Sequence, residues 1–554
     1  MLRVLRIPSL VLTALIVTVC AVSAQSVVPG SCESILRREG KESGRSFLGL
    51  KECYNCHTNG FPKDGFGDRF GITANDNWIL ANEVRIWGEN DKHSQAYTSL
   101  LSDTARKMGE AMGVPGTIHR DKRCLACHTG FPIAAMTKMD AANGLIDEKT
   151  YQNDLRITTG VSCEGCHGSA GGDHGWLTAH TSKDAWRFLT PDAKCEKGYY
   201  DVRSVISRTK LCLSCHLGNA AQGRILTHEM YAAGHPPLPP FELATFEELM
   251  PKHWRNLSEK KDLQQEYSER TGTQVDPEEL RGTKSLLVAA LISRSEALRL
   301  TADLAADLAE GAVSNQIPKP QWPDFAQFDC YACHHDLKSE GWRTTAQHRG
   351  SPGRPPLVPW PNALSRLAAI QAQLEPKDID RDFSFVQSAI LKSPFGDREQ
   401  LIAAARASAN LAETTAAALS GQDLRASEGM ALLERIAETA ATETMDYDSA
   451  RQLVWAFEIL RTELQPAQNS RPDSSLLHGD LTEIKSMFVL DLKDAERYGQ
   501  NIPRTIPGAT EERTVNEVKL EKILPPIAEY DALKFREAFS QLRQPVHSSA
   551  ESRK

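Results

Sequence analysis

Ten of the 13 cysteines in this 554-residue chain fall into five copies of one pattern. They are Cys53-Tyr-Asn-Cys56-His57, Cys124-Leu-Ala-Cys127-His128, Cys163-Glu-Gly-Cys166-His167, Cys212-Leu-Ser-Cys215-His216 and Cys330-Tyr-Ala-Cys333-His334. At this chain's Cys and His frequencies, chance would supply about 0.01 copies. On a helical turn, residues i and i+3 share a face and i+4 lies beside them. Both sulfurs of such a motif can therefore form thioethers to a porphyrin edge while the His reaches the iron. C-x-x-C-H thus reads as covalent attachment of c-type haem, five times over, with His57, His128, His167, His216 and His334 as proximal iron ligands. Zinc would require clusters summing to four ligands per ion, and a thiol redox pair has no need of a His after every second Cys.

An iron held by one protein His has a sixth position to fill. Eleven of the 16 histidines remain, and nine of them lie between Lys92 and Arg349 among the motifs: His93, His119, His174, His180, His228, His235, His253, His335 and His348. Only His478 and His547 lie beyond. Four or five of the nine are expected as distal ligands. Bis-His iron is closed to substrate and suits electron transfer, whereas an open face suits catalysis.

The elements that position these groups follow from breakers and periodicity. The first four motifs begin at short intervals with many Gly and few long apolar runs, so the porphyrins must supply much of the core there. Between the fourth and fifth motifs, a Pro-rich turn from His235 to Pro240 leads to a helical insertion around 255–315. In it Leu287, Leu291, Leu298, Leu304 and Leu308 form a packing stripe. Ser351 to Pro361 reads as an extended Pro-rich linker. Beyond it the composition turns to Ala, Leu, Glu and Arg. The clearest helix there is capped near Asp446 or Asp448, buries Leu453, Phe457, Leu460 and Leu464, and ends before Pro466. The expected domains are a signal peptide at 1–24, a pentahaem domain at 25–350, a linker at 351–365 and an α-helical C-terminal domain at 366–554. The fold class is mostly α with little β structure. The C-terminal helices either cover the haem core or dock a partner.

Composition sets the outer bounds. With 41% hydrophobic and 25% charged residues, the chain is neither collagen-like nor low-complexity, and its formal charge of -8 gives no argument for nucleic acid. Arg3 and Arg6 precede an apolar run from Leu10 to Val22 that ends in Ser23-Ala24, the pattern of a cleaved secretory signal. Cys20 would leave with it, and the exported chain would be more acidic still. The run is too short for a spanning helix. Cys32 and Cys195 then remain as either one disulfide or two separate thiols. A periplasmic or extracellular location follows from export, and the acidity favours redox partners with basic docking surfaces.

The run Thr159-Gly-Val-Ser-Cys163-Glu-Gly-Cys166-His167-Gly168, followed by Gly172-Asp173-His174, resembles the third haem segment of the cytochrome c-554 family. Trp87, His93 and Ala96 resemble its W-x(n)-H-x-x-A segment. The family's multihaem cytochromes are related in haem packing to hydroxylamine oxidoreductase. The resemblance spans roughly residues 45–345. It implies that His93 and His174 are distal ligands and that the haems stack in closely spaced pairs along a mostly helical chain. To these we add His119, His228 and His235 as distal candidates, with His180, His253 and His348 behind them. His335 is assigned to a haem propionate or a backbone carbonyl. The stretches around Thr227–Pro236 and Phe328–His335 look like a larger, pentahaem bacterial branch.

The expected function is an exported pentahaem c-type cytochrome passing electrons between redox partners. One alternative is a multihaem oxidoreductase acting on a small nitrogen or sulfur compound at an open haem. Against it, the C-x-x-C-K site of nitrite reductases is absent. The other alternative is a docking subunit of a respiratory electron-transfer complex.

Overall fold

A computed structural model of the chain describes residues 45–58, 79–131, 139–140, 145–146, 155–173, 175–181, 186–203, 205–219, 222–255, 265, 268–270, 322–334, 354–394, 396–420, 426–464, 475–488, 499–505, 512–518, 522 and 527–544. The signal-peptide segment, Cys20, Cys32, His174, the Leu287–Leu308 stripe, His335, His348 and His547 lie outside the described residues.

The architecture is mostly α, as expected. Four of the haem motifs end short helices: α1 (Leu50–His57), α2 (Lys122–His128), α3 (Cys163–His167) and α4 (Val205–His216). The fifth sits on a single 3-10 turn, Cys330–Ala332. Each helix is just long enough to present Cys, Cys and His on adjoining faces. Asp121 caps α2, accepting from the Arg123 backbone N–H at 2.9 Å. Among the described residues β structure amounts to a few isolated bridges and three two-stranded antiparallel ladders, pairing 45–46 with 171–172, 139–140 with 145–146 and 499–505 with 512–518.

Helices Pro376–Leu391, Arg398–Ser420, Ala426–Thr442, Tyr447–Leu464 (α5) and Ala532–Leu542 dominate the C-terminal half. The periodicity located α5 correctly. Asp446 caps it, taking the backbone N–H groups of Asp448 and Ser449, and Leu453, Phe457 and Leu460 are fully buried. The 499–518 hairpin is an addition to the helices expected there. Its β-branched Ile502, Thr505, Thr514, Val515 and Val518 favour strands, and its second strand runs beside the turns Lys92–Gln95 and Thr98–Leu101 of the haem region.

The Pro-rich stretch near residue 355 is packed against its neighbours. Its extended backbone pairs with the segment before the fifth motif: Asp329 N–H donates to Pro356 O at 2.9 Å and Val358 N–H to Gln327 O at 3.2 Å. Trp360 is buried with Leu213, Phe241 and Leu243 against α4. A further contact ties α5 to the haem region. The Trp455 ring meets Phe246 edge-on at 6.1 Å, and Phe246 meets the motif histidine His216 at 5.4 Å.

Candidate haem-binding site

The motif helices are brought together in pairs. The Cys53 side chain lies beside that of Cys163, and Cys127 beside Cys215, so the first motif abuts the third and the second abuts the fourth. Cys166 also lies within electrostatic reach of Cys212 and Cys215, which places the third motif beside the fourth. Buried polar side chains fix these approaches. Glu164, between the two cysteines of the third motif and 2% exposed, accepts from the backbone N–H groups of Leu48 at 2.9 Å, Gly49 at 2.6 Å and Ala170 at 2.7 Å. It thereby caps α1, which lacks a capping side chain of its own. Arg224, 3% exposed, donates to Ala126 O in the second motif, Ser214 Oγ in the fourth and Gly130 O.

Three motif histidines face a second histidine across a nearly constant gap. Ring centroids are 6.0 Å apart for His57 and His180, 6.2 Å for His216 and His93, and 6.2 Å for His334 and His228. A metal–nitrogen bond of about 2.0 Å, plus roughly 1.1 Å from nitrogen to ring centre, puts two imidazoles trans on one metal about 6.2 Å apart. The gaps therefore suit an iron between each pair. The ring planes differ by 18° and 25° in the first and third pairs and by 86° in the second. The remaining motif histidines have histidine neighbours as well: His235 feels the charge of His128, and His167 that of His253. His167 also lies parallel to the Tyr199 ring at 5.5 Å.

Hydrogen bonding readies these rings for a metal. Carbonyl oxygens only accept, so the Nδ1 atoms of His128, His235 and His253 must donate to Ala96 O at 2.6 Å, Pro236 O at 2.7 Å and Pro251 O at 3.1 Å, leaving each Nε2 lone pair free. Nδ1 of His57 meets a Glu83 carboxylate oxygen at 2.8 Å, and Nδ1 of His93 meets Asp91 at 2.9 Å. Burial opposes charge on His57 and His93, but their carboxylates outweigh it and raise both pKa values. Burial, assisted by a neighbouring His, takes His167, His180 and His216 down to about 4, which keeps them neutral as a metal ligand must be. Burial likewise pushes the thiols of Cys124 and Cys166 up to about 12. Gly160 lets the third motif approach His93. Its φ is 73°, and a Cβ there would stand 2.6 Å from His93 O.

Of the distal candidates, His93, His228 and His235 thus stand by a motif histidine, and His119 lies in the 3-10 turn Ile118–Arg120 just ahead of α2. His180 and His253, ranked behind them, prove to be neighbours of His57 and His167. Spacing could not rank them, but Pro236 after His235 and Pro251 before His253 supply acceptor carbonyls, a local signal that was present. Cys195 is disulfide-bonded.

Residues 81–168 match the family model described as cytochrome c554 and c-prime, a stretch that contains the second and third motifs and His93. Over that stretch the chain is similar to the cytochrome c-554 family, and the match supports a multihaem c-type cytochrome with covalently bound haem iron that takes part in electron transfer. No curated protein and no solved structure matches it. Among the described residues no helix is long and apolar enough to cross a membrane.

Proposed function

We propose that the chain is an exported pentahaem cytochrome that relays electrons between redox partners through five bis-His haems. The observation that carries this reading is the trio of histidine pairs at 6.0 to 6.2 Å. The cysteines of the five motifs hold the porphyrins, and the motif histidines bind the irons from one side. On the other side stand His180 opposite His57, His235 opposite His128, His253 opposite His167, His93 opposite His216 and His228 opposite His334. When bound, the haems supply one-electron exchange. The protein supplies oriented imidazoles and close packing of one motif against the next.

Signal-peptide cleavage before Gln25, a Cys32–Cys195 bridge and a periplasmic or extracellular location complete the reading, together with the domain limits given above. The net charge of -8, increased by haem propionates, favours a partner with a basic face.

Electron paramagnetic resonance tests the ligation. Near-parallel imidazole planes split the two iron orbitals that interact with them, whereas perpendicular planes leave those orbitals nearly degenerate and give a far more anisotropic low-spin signal. We expect only low-spin ferric signals, with the strongly anisotropic kind from the His216 haem and rhombic ones from the His57 and His334 haems. The reduced protein should not bind carbon monoxide. A high-spin signal with carbon monoxide binding would replace this reading by the oxidoreductase with an open haem.

A further inference from the structure

The hydrogen bonds to the far nitrogens of the axial histidines are of unequal kind. His57 faces Glu83 at 2.8 Å and His93 faces Asp91 at 2.9 Å, both carboxylates. His128, His235 and His253 give theirs to neutral backbone carbonyls. Among the described residues Nδ1 of His167 and of His180 is buried without a hydrogen-bond partner. A carboxylate drawing on Nδ1–H makes the imidazole a stronger electron donor through Nε2, and a stronger donor stabilises ferric over ferrous iron.

We propose that Glu83 and Asp91 are positioning residues that set the first and fourth haems at lower reduction potential than they would have with a neutral acceptor. The inference rests on the ligand assignment above, but unequally. Glu83 acts on His57, a C-x-x-C-H histidine, whereas Asp91 acts on His93, a ligand assigned from ring geometry.

Both carboxylates are built into the fold. Glu83 opens the Glu83–Asn90 helix and also accepts from the Leu80 backbone N–H at 2.8 Å, so it is fixed from two sides. Asp91 is 3% exposed and also accepts from the His93 backbone N–H at 2.9 Å, which locks the carboxylate to the turn that carries the ligand. The third motif lies between the two tuned haems, against the first through Cys53 and Cys163 and near the fourth through Cys166. Among the described residues His167 has neither a carboxylate nor a carbonyl on Nδ1. The haem it serves therefore sits at higher potential than both neighbours and holds the first electron of the trio.

The test is a redox titration of the holoprotein and of Glu83→Gln and Asp91→Asn, followed optically and by the low-spin signals of each haem. Each variant keeps an acceptor oxygen and removes the charge. We expect Glu83→Gln to favour reduction of the first haem about tenfold, ~59 mV for a one-electron couple. Asp91→Asn should do the same for the haem with perpendicular ligand planes. Ser99→Ala, at a hydroxyl 3.0 Å from Nδ1 of His128, is the neutral control and should change its haem less than about twofold. Unmoved potentials with intact low-spin signals would overturn the proposal while leaving the ligand assignment standing. Loss of the low-spin signal in both variants would also overturn it, by making the carboxylates mere supports of ring position. Absence of bis-His signals in the unmodified protein would instead sink the ligation itself.

Discussion

Among the described residues one apolar cluster in the C-terminal helices joins 24 buried residues, from Leu364 through Phe457 to Leu542, while the largest cluster among the haem motifs joins seven, including Tyr97, Leu125 and Ile157. The two regions bury their side chains to different ends. The C-terminal one follows the ordinary rule that amphipathic helices hide a stripe against one another. The motif region has short helices, several small clusters and an unusual dependence on buried polar clamps such as Glu164 and Arg224. That is how a region built to pack around covalently bound haem would look. The regions are nevertheless joined, since Phe246 meets both the motif histidine His216 and Trp455 of α5 edge-on.

The sharpest way to break this comparison is to withhold a haem. Replacing Cys163 and Cys166 together by Ala should abolish the fold of the motif region, the whole of the ~5–15 kcal/mol that holds a domain. In the full chain, the C-terminal helices should survive as a protease-resistant fragment beginning near residue 355. Equal digestion of both halves would deny the contrast. The converse change, Phe457→Ala, should destabilise the C-terminal helices by about 3–5 kcal/mol. The haem absorption spectrum should stay unchanged until unfolding, as a denaturant titration read by both helix and haem signals would show.

Arg224→Met tests whether a polar clamp substitutes for a core. It strands the carbonyls of Ala126 and Gly130 and should cost about 2–4 kcal/mol. It should also alter the optical signals of the second and fourth haems while sparing the fifth, a pattern that circular dichroism in the haem bands can read. The smallest effect expected is a pH dependence. Glu242 is fully buried, and burial raises its carboxyl above the ordinary 4.5 despite bonds from Thr245 and Ala244. Above pH 4.5 the unfolded chain has released this proton while the folded protein still holds it. Its contribution to stability is therefore complete at lower pH and is lost as pH rises through the folded value. Glu242→Gln should flatten that part of the stability profile, measured by denaturant midpoints from pH 4.5 to neutrality.

Part of this was open to direct reading from the residues. A five-residue motif carries its whole chemistry within one helical turn, so the thioether and proximal positions needed no tertiary information. The α5 helix was equally legible, because its apolar residues repeat at helical spacing between an Asp cap and a Pro. The hairpin strands 499–505 and 512–518 were less so, since Pro503 is a poor strand former and the turns that the second strand packs beside are distant in sequence. Distal ligands were the hardest to assign. His93, His228 and His235 could be named as candidates, but spacing could not say which motif histidine each would stand beside, because the facing rings come from residues 106 to 123 positions apart.

By itself the sequence determined that this is a c-type cytochrome and which residues to expect at its haems, since covalent attachment is a local property of Cys, Cys and His on one turn. The tertiary structure alone decided which histidine faces which, which motifs touch, and which rings receive a carboxylate, a carbonyl or nothing. Those are contacts between segments far apart in the chain, fixed by buried groups such as Glu164, Arg224 and Gly160 whose types carry no mark of the partner they will meet.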